Sequence, residues 1–364
     1  MNSIAAYEIG CGRYIQQTGI LADAAEELGR FGRKLLLIYT TLSETIAAPA
    51  LEAGLARGGF AIRRHIHDGF CCVEDAQEAA QRYGPGIEVV VGIGGGTVID
   101  FSKIVADLLG AAIVTVPTSS ATCCAYTPLS VCYTHTGKAA ETRKYPWSIS
   151  AVLADMEILS RQPPRLLVAG ACDALAKKIE IEQRIRGKSD LEIDPGFGCC
   201  HALACFLHDR IRANLDEVYR DACEQRNSKL LYDMVYYSIA GAGTVSGLAR
   251  GSRQTAMGHK FYLFIRTRFT EECACWLHGE LVAIGLVGQL AFNGEEQQAG
   301  EFRRMLRKMR LPCCMDDLGI PAGPEVFEAC CDFIRNSSAM QEAGPAELLR
   351  MRRAVELIFA PAGT

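Results

Sequence analysis

The sequence predicts an α/β nucleotide-binding domain with a parallel Rossmann-like sheet over residues 1–158, followed by an all-α domain over residues 159–364. Three observations predict it. Short apolar runs alternate with helical stretches as far as Pro117, the pattern of strands joined by crossover helices. One of those runs ends in consecutive glycines. After about Leu159 strand-like runs disappear and long helical patterns take over.

The elements follow in order. Lys34-Leu35-Leu36-Leu37-Ile38-Tyr39 is an apolar run bounded by Gly32 and Thr40-Thr41, and reads as a buried strand. A helix continues to about Gly58. Phe60 to Ile66 is a second, weaker strand, and Val73 to Tyr83 a helix with a polar face. Ile87 to Ile93 is a strongly apolar strand, Asp100 to Leu109 continues as its helix, and Ala112 to Val116 is a further strand ended by Pro117. Pro163-Pro164 marks the domain junction and suits the first turn of a helix.

Bulk properties bound the function. Forty-nine per cent of the 364 residues are hydrophobic, enough for two cores. Apolar runs stop well short of the roughly 20 residues a bilayer span needs. Met1 to Glu8 lacks the basic start, apolar stretch and cleavage site of a secretory signal, so the expected location is cytoplasmic, with no membrane partner. The net charge of −4 is mild and interspersed, which argues against a nucleic-acid partner. The 17 cysteines are odd in number and often adjacent, as in Cys71-Cys72 and Cys313-Cys314. Reduced thiols acting as small buried hydrophobes fit better than a disulfide framework.

Val89-Val90-Val91-Gly92-Ile93-Gly94-Gly95-Gly96-Thr97 runs from an apolar strand into glycines and then a helix. Glycines let the backbone approach a diphosphate with no Cβ in the way, and the helix N-terminus offers N–H groups and a favourable dipole. Thr97 stands where the ordinary dinucleotide fingerprint has its last glycine, so that fingerprint is not met. Three successive glycines exceed what a structural turn needs.

Gly94-Gly95-Gly96-x-x-x-Asp100-x-x-Lys103 resembles the signature of the iron-containing alcohol dehydrogenase superfamily, its glycerol dehydrogenase branch in particular. Val116-Pro117-Thr118-Ser119-Ser120-Ala121-Thr122 and Pro164-Arg165-Leu166-Leu167-Val168-Ala169-Gly170, ending at Asp173-Ala174-Leu175, are similar as well. Thr122-Cys123-Cys124-Ala125-Tyr126-Thr127-Pro128-Leu129 is closest in motif to the hydroxycarboxylate dehydrogenases. The resemblance implies the dehydroquinate synthase-like fold. It also implies a nicotinamide cofactor held by Gly94, Gly95, Gly96, Thr97, Asp100, Thr118, Thr127, Leu129 and Tyr133, a divalent metal, and a homo-oligomer.

Matched string to string, the implied metal ligands are Asp173, His259 in Met257-Gly258-His259-Lys260, and His278 in Leu277-His278-Gly279-Glu280. One carboxylate and two imidazoles leave room on zinc or ferrous iron for an exogenous oxygen. The glycerol dehydrogenase branch implies zinc. Alone, each residue reads as a capping aspartate or an ordinary histidine; together, in matching strings, they read as ligands. The family's second histidine, three residues after the first, is replaced by Tyr262, which reads as a packing residue. No catalytic residue separate from the ligands is assigned.

Two departures bear on cofactor and substrate. Tyr39 stands where NAD-dependent relatives carry an aspartate that bonds the ribose 2′-OH, so NADP is expected to be accepted, with Thr40, Thr41 and Ser43 available to a 2′-phosphate. Cys123 stands where glycerol dehydrogenases carry a substrate-contacting aspartate, which removes a charge that would repel an anion. The expected substrate is therefore a small molecule, a 2-oxo acid reduced to a 2-hydroxy acid. Arg143, Lys144, Arg253 and Lys260 are candidate carboxylate partners. Alternatives are a glycerol or other polyol dehydrogenase, a dehydroquinate synthase-like lyase, and a catalytically degenerate nucleotide-binding protein.

Overall fold

A computed structural model describes residues 7–56, 58–251 and 253–361. Met1–Ala6, the start of the segment read for a secretory signal, lie outside the described residues. The chain forms two compact units. One comprises Met1–Leu167 and Asp216–Gly251; the other comprises Val168–Leu215 and Ser252–Thr364.

The first unit is built on a six-stranded, fully parallel sheet. In chain order its elements are β1 (Tyr14–Gln17), α1 (Ala24–Gly29), β2 (Lys34–Tyr39), α2 (Thr41–Leu55), β3 (Ala61–Ile66), α3 (Val73–Tyr83), β4 (Val89–Gly94), α4 (Gly96–Leu109), β5 (Ala112–Pro117), the antiparallel hairpin β6 (Leu129–Tyr133) and β7 (Ala139–Lys144), β8 (Ala151–Asp155) and α5 (Met156–Leu159). The strand order is β1-β8-β5-β4-β2-β3. The strands expected from apolar runs, β2 to β5, are all present. The short β1 and β8 and the β6–β7 hairpin are additions to that expectation.

Strand alternation divides the sheet residues between its faces. Leu35, Leu37 and Tyr39 join Val89, Val91, Ile93, Val114, Val116 and Leu153 in one core with Leu21, Leu28, Ala47, Leu51 and Leu55. Register sets the functional edge: Tyr39 lies opposite Ile93, and Gly94 opposite Pro117. The ends of β2, β4 and β5 therefore open at one rim of the sheet, where ligands of such sheets bind.

The expected single boundary at residue 158 does not match the compact units. Helix α6 (Pro164–Ile185) begins in the first unit, and the long helix α7 (Pro195–Cys223) returns the chain to it. Two helices then complete that unit, α8 (Lys229–Tyr236) and α9 (Ala242–Leu248). Missing side chains make their fit possible. A Cβ on Gly247 would stand 1.7 Å from the Ile9 carbonyl oxygen, and one on Gly243 would stand 2.5 Å from the Tyr126 ring.

The second unit holds most of α6 and α7 with α10 (Met257–Arg268), α11 (His278–Asn293), α12 (Glu296–Lys308), α13 (Pro324–Arg335) and α14 (Pro345–Phe359). Helix α11 is buried along almost its whole length, so it forms the centre of this unit. Among the described residues no helix is long and apolar enough to cross a membrane.

Within the first unit, the loop after β5 is held by one ammonium. Lys103 is fully buried, and its Nζ donates to Asp100 Oδ1 at 2.8 Å and to the Cys124 and Leu129 carbonyls at 2.6 Å each. Asp100 Oδ2 accepts from the Val131 amide at 3.0 Å. Burial pushes the Asp100 carboxyl up, with Lys103 opposing. Lys103→Met leaves that carboxylate uncompensated, and should cost about 3–5 kcal/mol of stability. Chemical denaturation checks this, with Asp100→Asn added to Lys103→Met expected to recover part of the loss.

Candidate metal centre and nucleotide turn

Helix α6 presents Asp173, Lys177 and Glu180 on one buried face, at spacings of four and three residues. Two more helices bring the imidazoles to it. His259 lies in the first turn of α10, and His278 is the first residue of α11. The helices meet where glycines allow it. A Cβ on Gly279 would stand 1.9 Å from the Ala169 carbonyl oxygen, and one on Gly285 would stand 2.4 Å from the Gly258 carbonyl oxygen.

The result is a compact donor set. Asp173 Oδ1 lies 3.4 Å from His278 Nε2 and 3.6 Å from His259 Nε2. One donor atom from each residue falls within 4.8 Å of the others. Bonds of about 2.0–2.2 Å from nitrogen and oxygen to one divalent ion need donors at about this separation. The sequence-predicted ligands Asp173, His259 and His278 are thus brought together.

Glu180 completes the arrangement, and the sequence reading passed over it. Its Oε1 accepts from the Ala256 and His259 amides, each at 2.8 Å, and its Oε2 faces His259 Nδ1 at 2.5 Å. A carboxylate on Nδ1 fixes the ring and leaves Nε2 for a metal. The signal available was position: an acid seven residues after Asp173 on the same buried face.

The charges are mutually dependent. Burial opposes ionisation of Asp173, but the Lys177 ammonium and the two imidazoles hold its carboxyl well below the usual range. Burial likewise opposes a proton on His259, yet Glu180 and Asp173 outweigh it and push the pKa up to about 9. Burial pushes His278 down, with Asp173 opposing. Lys177 Nζ lies 3.3 Å from Asp173 Oδ1. Lys177 was not among the four cations the sequence suggested. The Tyr262 ring packs edge-on to His278 at 4.3 Å between centroids, in keeping with a packing role.

In the first unit, Gly94 ends β4 at φ +146°, where a Cβ would also collide with Val98 at 2.5 Å. Gly95 caps α4 with no side-chain hydrogen bond, and a Cβ there would meet nothing within 4 Å. Gly96 and exposed Thr97 form the first turn of α4. Thr118 adjoins them, its amide donating to the Gly94 carbonyl at 3.0 Å. An uncapped helix N-terminus beside an open glycine has the shape and polarity of a diphosphate cradle.

Other predicted residues fall elsewhere. Asp100 is buried and faces β6, its carboxylate bound by Lys103 and the Val131 amide, so it positions the loop. Tyr39 points into the core, fully buried, its hydroxyl without a hydrogen-bond partner. Alternation along β2 gives it the same face as Leu35 and Leu37, so its side chain packs in the core and not at the rim where the sequence reading placed it. Leu129 lends its carbonyl to Lys103. Thr127 is buried, and Tyr133 packs toward Phe70. Cys123 is nearly buried, its Sγ 4.0 Å from Ser246 Oγ.

The hydroxyls expected to receive a 2′-phosphate are engaged. Thr40 Oγ1 caps α2 by accepting from the Ser43 amide, and Ser43 Oγ donates to the Ile93 carbonyl. Asp68, which follows β3, accepts from the Thr41 amide at 2.8 Å and from Thr41 Oγ1 at 2.5 Å. A carboxylate therefore stands at the end of β2, where the sequence showed none.

Comparison with known proteins was made against this geometry. The family model for iron-containing alcohol dehydrogenases matches residues 11–160. Hydroxycarboxylate dehydrogenase A of Escherichia coli (strain K12) is 30% identical over 275 residues, covering 76% of this chain and 75% of that protein. Glycerol dehydrogenase of Thermotoga maritima is 28% identical over 342 residues, covering 92% and 91%. The crystal structure of a probable glycerol dehydrogenase from Sinorhizobium meliloti 1021 superposes with a TM-score of 0.83, covering 97% of this chain and 98% of that one, at 23% identity.

Glu180→Gln removes the charge that orients His259 while keeping the side chain's shape. Its expected effect is a fall in divalent-metal affinity of about 10- to 100-fold, measured by competition with a chromogenic chelator. Unchanged affinity would show that His259 needs no carboxylate behind it.

Proposed function

Because this chain belongs to the iron-containing alcohol dehydrogenase family, we propose that it is a metal-dependent, NAD-linked dehydrogenase interconverting a small 2-oxo acid and its 2-hydroxy acid. Dehydrogenases of this family act on CH–OH groups with NAD(P) and a divalent metal. The residues present fit both groups. Asp173, His259 and His278 supply a carboxylate oxygen and two imidazole nitrogens at ligand separation, and the open Gly95 with the uncapped start of α4 suits a diphosphate.

A divalent ion on the trio supplies Lewis acidity toward a carbonyl oxygen, and a nicotinamide supplies or receives the hydride. The chain's own residues do the rest. Glu180 keeps His259 turned so that Nε2 is the free donor. Tyr262 braces the face of His278. Gly95 and Gly96 let the main chain come close to phosphate oxygens. Lys103 holds the loop that carries Thr122 to Leu129.

The observation that carries the acid substrate is charge. Asp173 is the trio's single anion, Lys177 lies 3.3 Å from it, and the Glu180 carboxylate is committed to His259. A divalent ion added to this set gives a net positive pocket, which favours a carboxylate over a neutral polyol. Zinc and iron both suit the donors; zinc is the proposal, from the likeness to glycerol dehydrogenases. A polyol dehydrogenase is the second reading, favoured by the 92% of the chain that aligns with the Thermotoga maritima enzyme.

Lys177→Met should lower kcat/KM for 2-oxo acids by about tenfold or more, and leave a neutral aldehyde of similar size within about threefold. Steady-state kinetics on both substrates decide it: equal losses remove the carboxylate role, and glycerol turnover exceeding that of every 2-hydroxy acid selects the polyol reading.

Cofactor choice rests on Asp68. Its carboxylate just past β2 can accept a hydrogen bond from a ribose 2′-OH and repels a 2′-phosphate, against the acceptance of NADP expected from the strand's own sequence. Asp68→Ser should shift the ratio of kcat/KM for NAD over NADP toward NADP by about tenfold. A wild-type enzyme that already prefers NADP would overturn the assignment.

A further inference from the structure

Outside the trio, a second group of donors converges in the first unit. Cys72 caps α3 and is fully buried. Its Sγ lies 2.7 Å from Glu74 Oε2 and 3.5 Å from His135 Nε2. One donor atom from each of the three residues falls within 4.8 Å of the others. Asp75 Oδ1 stands 3.5 Å from His135 Nδ1, on the far side of the ring. We propose that Cys72, Glu74 and His135 form a second divalent-metal site, structural in kind, with Asp75 orienting the imidazole.

The arrangement repeats the logic of the trio: three donors facing one point, and a carboxylate behind the histidine. A thiol donating to a carboxylate would account for Cys72 and Glu74, which are neighbours on one helix turn. It does not account for an imidazole delivered from another element with its free nitrogen toward the sulphur. That delivery is built into the fold. His135 sits in the turn between β6 and β7, which is closed by the Thr134 amide on the Lys138 carbonyl and the Gly137 amide on the Thr134 carbonyl, each at 2.9 Å. The Tyr133 amide donates to the Cys71 carbonyl at 2.9 Å and ties the hairpin to the loop before α3. Gly137, at φ +78°, lies over Phe70, where a Cβ would stand 2.6 Å from the ring. The hairpin turn is thus docked on the residues flanking Cys72.

Thiolate, imidazole and carboxylate together select zinc or a similar borderline-soft ion over magnesium or calcium. Glu74 and His135 are solvent-exposed, so the fourth position is open to water. Binding breaks the Cys72 S–H bond and forms a sulphur–metal bond, with the proton released to solvent and no change of oxidation state. The ion would staple the β6–β7 hairpin to the start of α3.

Cobalt(II) substitution of the whole protein separates this site from the trio, because the trio contains no sulphur. The wild-type chain, stripped by chelation and saturated with cobalt(II), should show a thiolate-to-cobalt charge-transfer band in the near ultraviolet. Cys72→Ser should lose the band and bind one cobalt fewer, while dehydrogenase turnover and the circular dichroism spectrum persist. Cys71→Ser should keep the band. His135→Ala, at an exposed turn, should also bind one cobalt fewer with the fold intact. No band in the saturated wild type, a band that survives Cys72→Ser, or an unchanged cobalt count in His135→Ala would overturn the proposal. Failure of the trio to bind metal would instead abolish turnover and leave the band in place.

Discussion

The start of α11 lies against α6 because residue 279 has no side chain. A Cβ there would be placed 1.9 Å from the Ala169 carbonyl oxygen, closer than any packing tolerates. That approach brings His278, one residue earlier, to 3.4 Å from Asp173. Gly285 and Gly258 set the spacing of α11 and α10 in the same way, and hence the place of His259. The donor set is therefore a product of backbone contact first and of side-chain chemistry second. Glu180 then removes the one remaining freedom, the tautomer and tilt of His259.

The first unit depends on a comparable economy of contacts around Lys103. An ammonium with no access to water requires its acceptors to be present, and here they are Asp100 and two carbonyls from the segment after β5. The same interaction gives Asp100 of the glycine-rich signature a structural role. It anchors the loop after β5 to α4, the helix that begins at the glycine turn. A neighbouring strand supplies a charge beside this rim: Asp68, after β3, brings its carboxylate to Thr41, the first residue of α2 just past β2.

The donor types and the glycine turn were legible because each lies in a continuous string with its own local pattern. The strands β2, β4 and β5 were legible because two-sided burial makes them near-continuous apolar runs, and the exposed edge strand β3 was legible only as a weaker one. β1, with its half-exposed Tyr14-Ile15-Gln16-Gln17, and β7, with Ala139 to Lys144 almost wholly exposed, carry no such run. Their pairing comes from partners far along the chain. The return of 216–251 to the first unit escaped notice for the same reason: helix α9 is apolar like its neighbours, and only the flat faces of Gly243 and Gly247 reveal where it packs.

By itself, then, the sequence determined the class of fold, the candidate donors Asp173, His259 and His278, the glycine turn and the class of dehydrogenase chemistry. The tertiary structure alone decided which groups stand beside them. It put Glu180 and Lys177 at the trio, buried Tyr39 in the core, brought Asp68 to the end of β2, and set His135 over Cys72. The physical reason is common to all four. Local strings encode periodicity and residue type, whereas charge pairing and ligand convergence depend on distances between segments that only packing fixes.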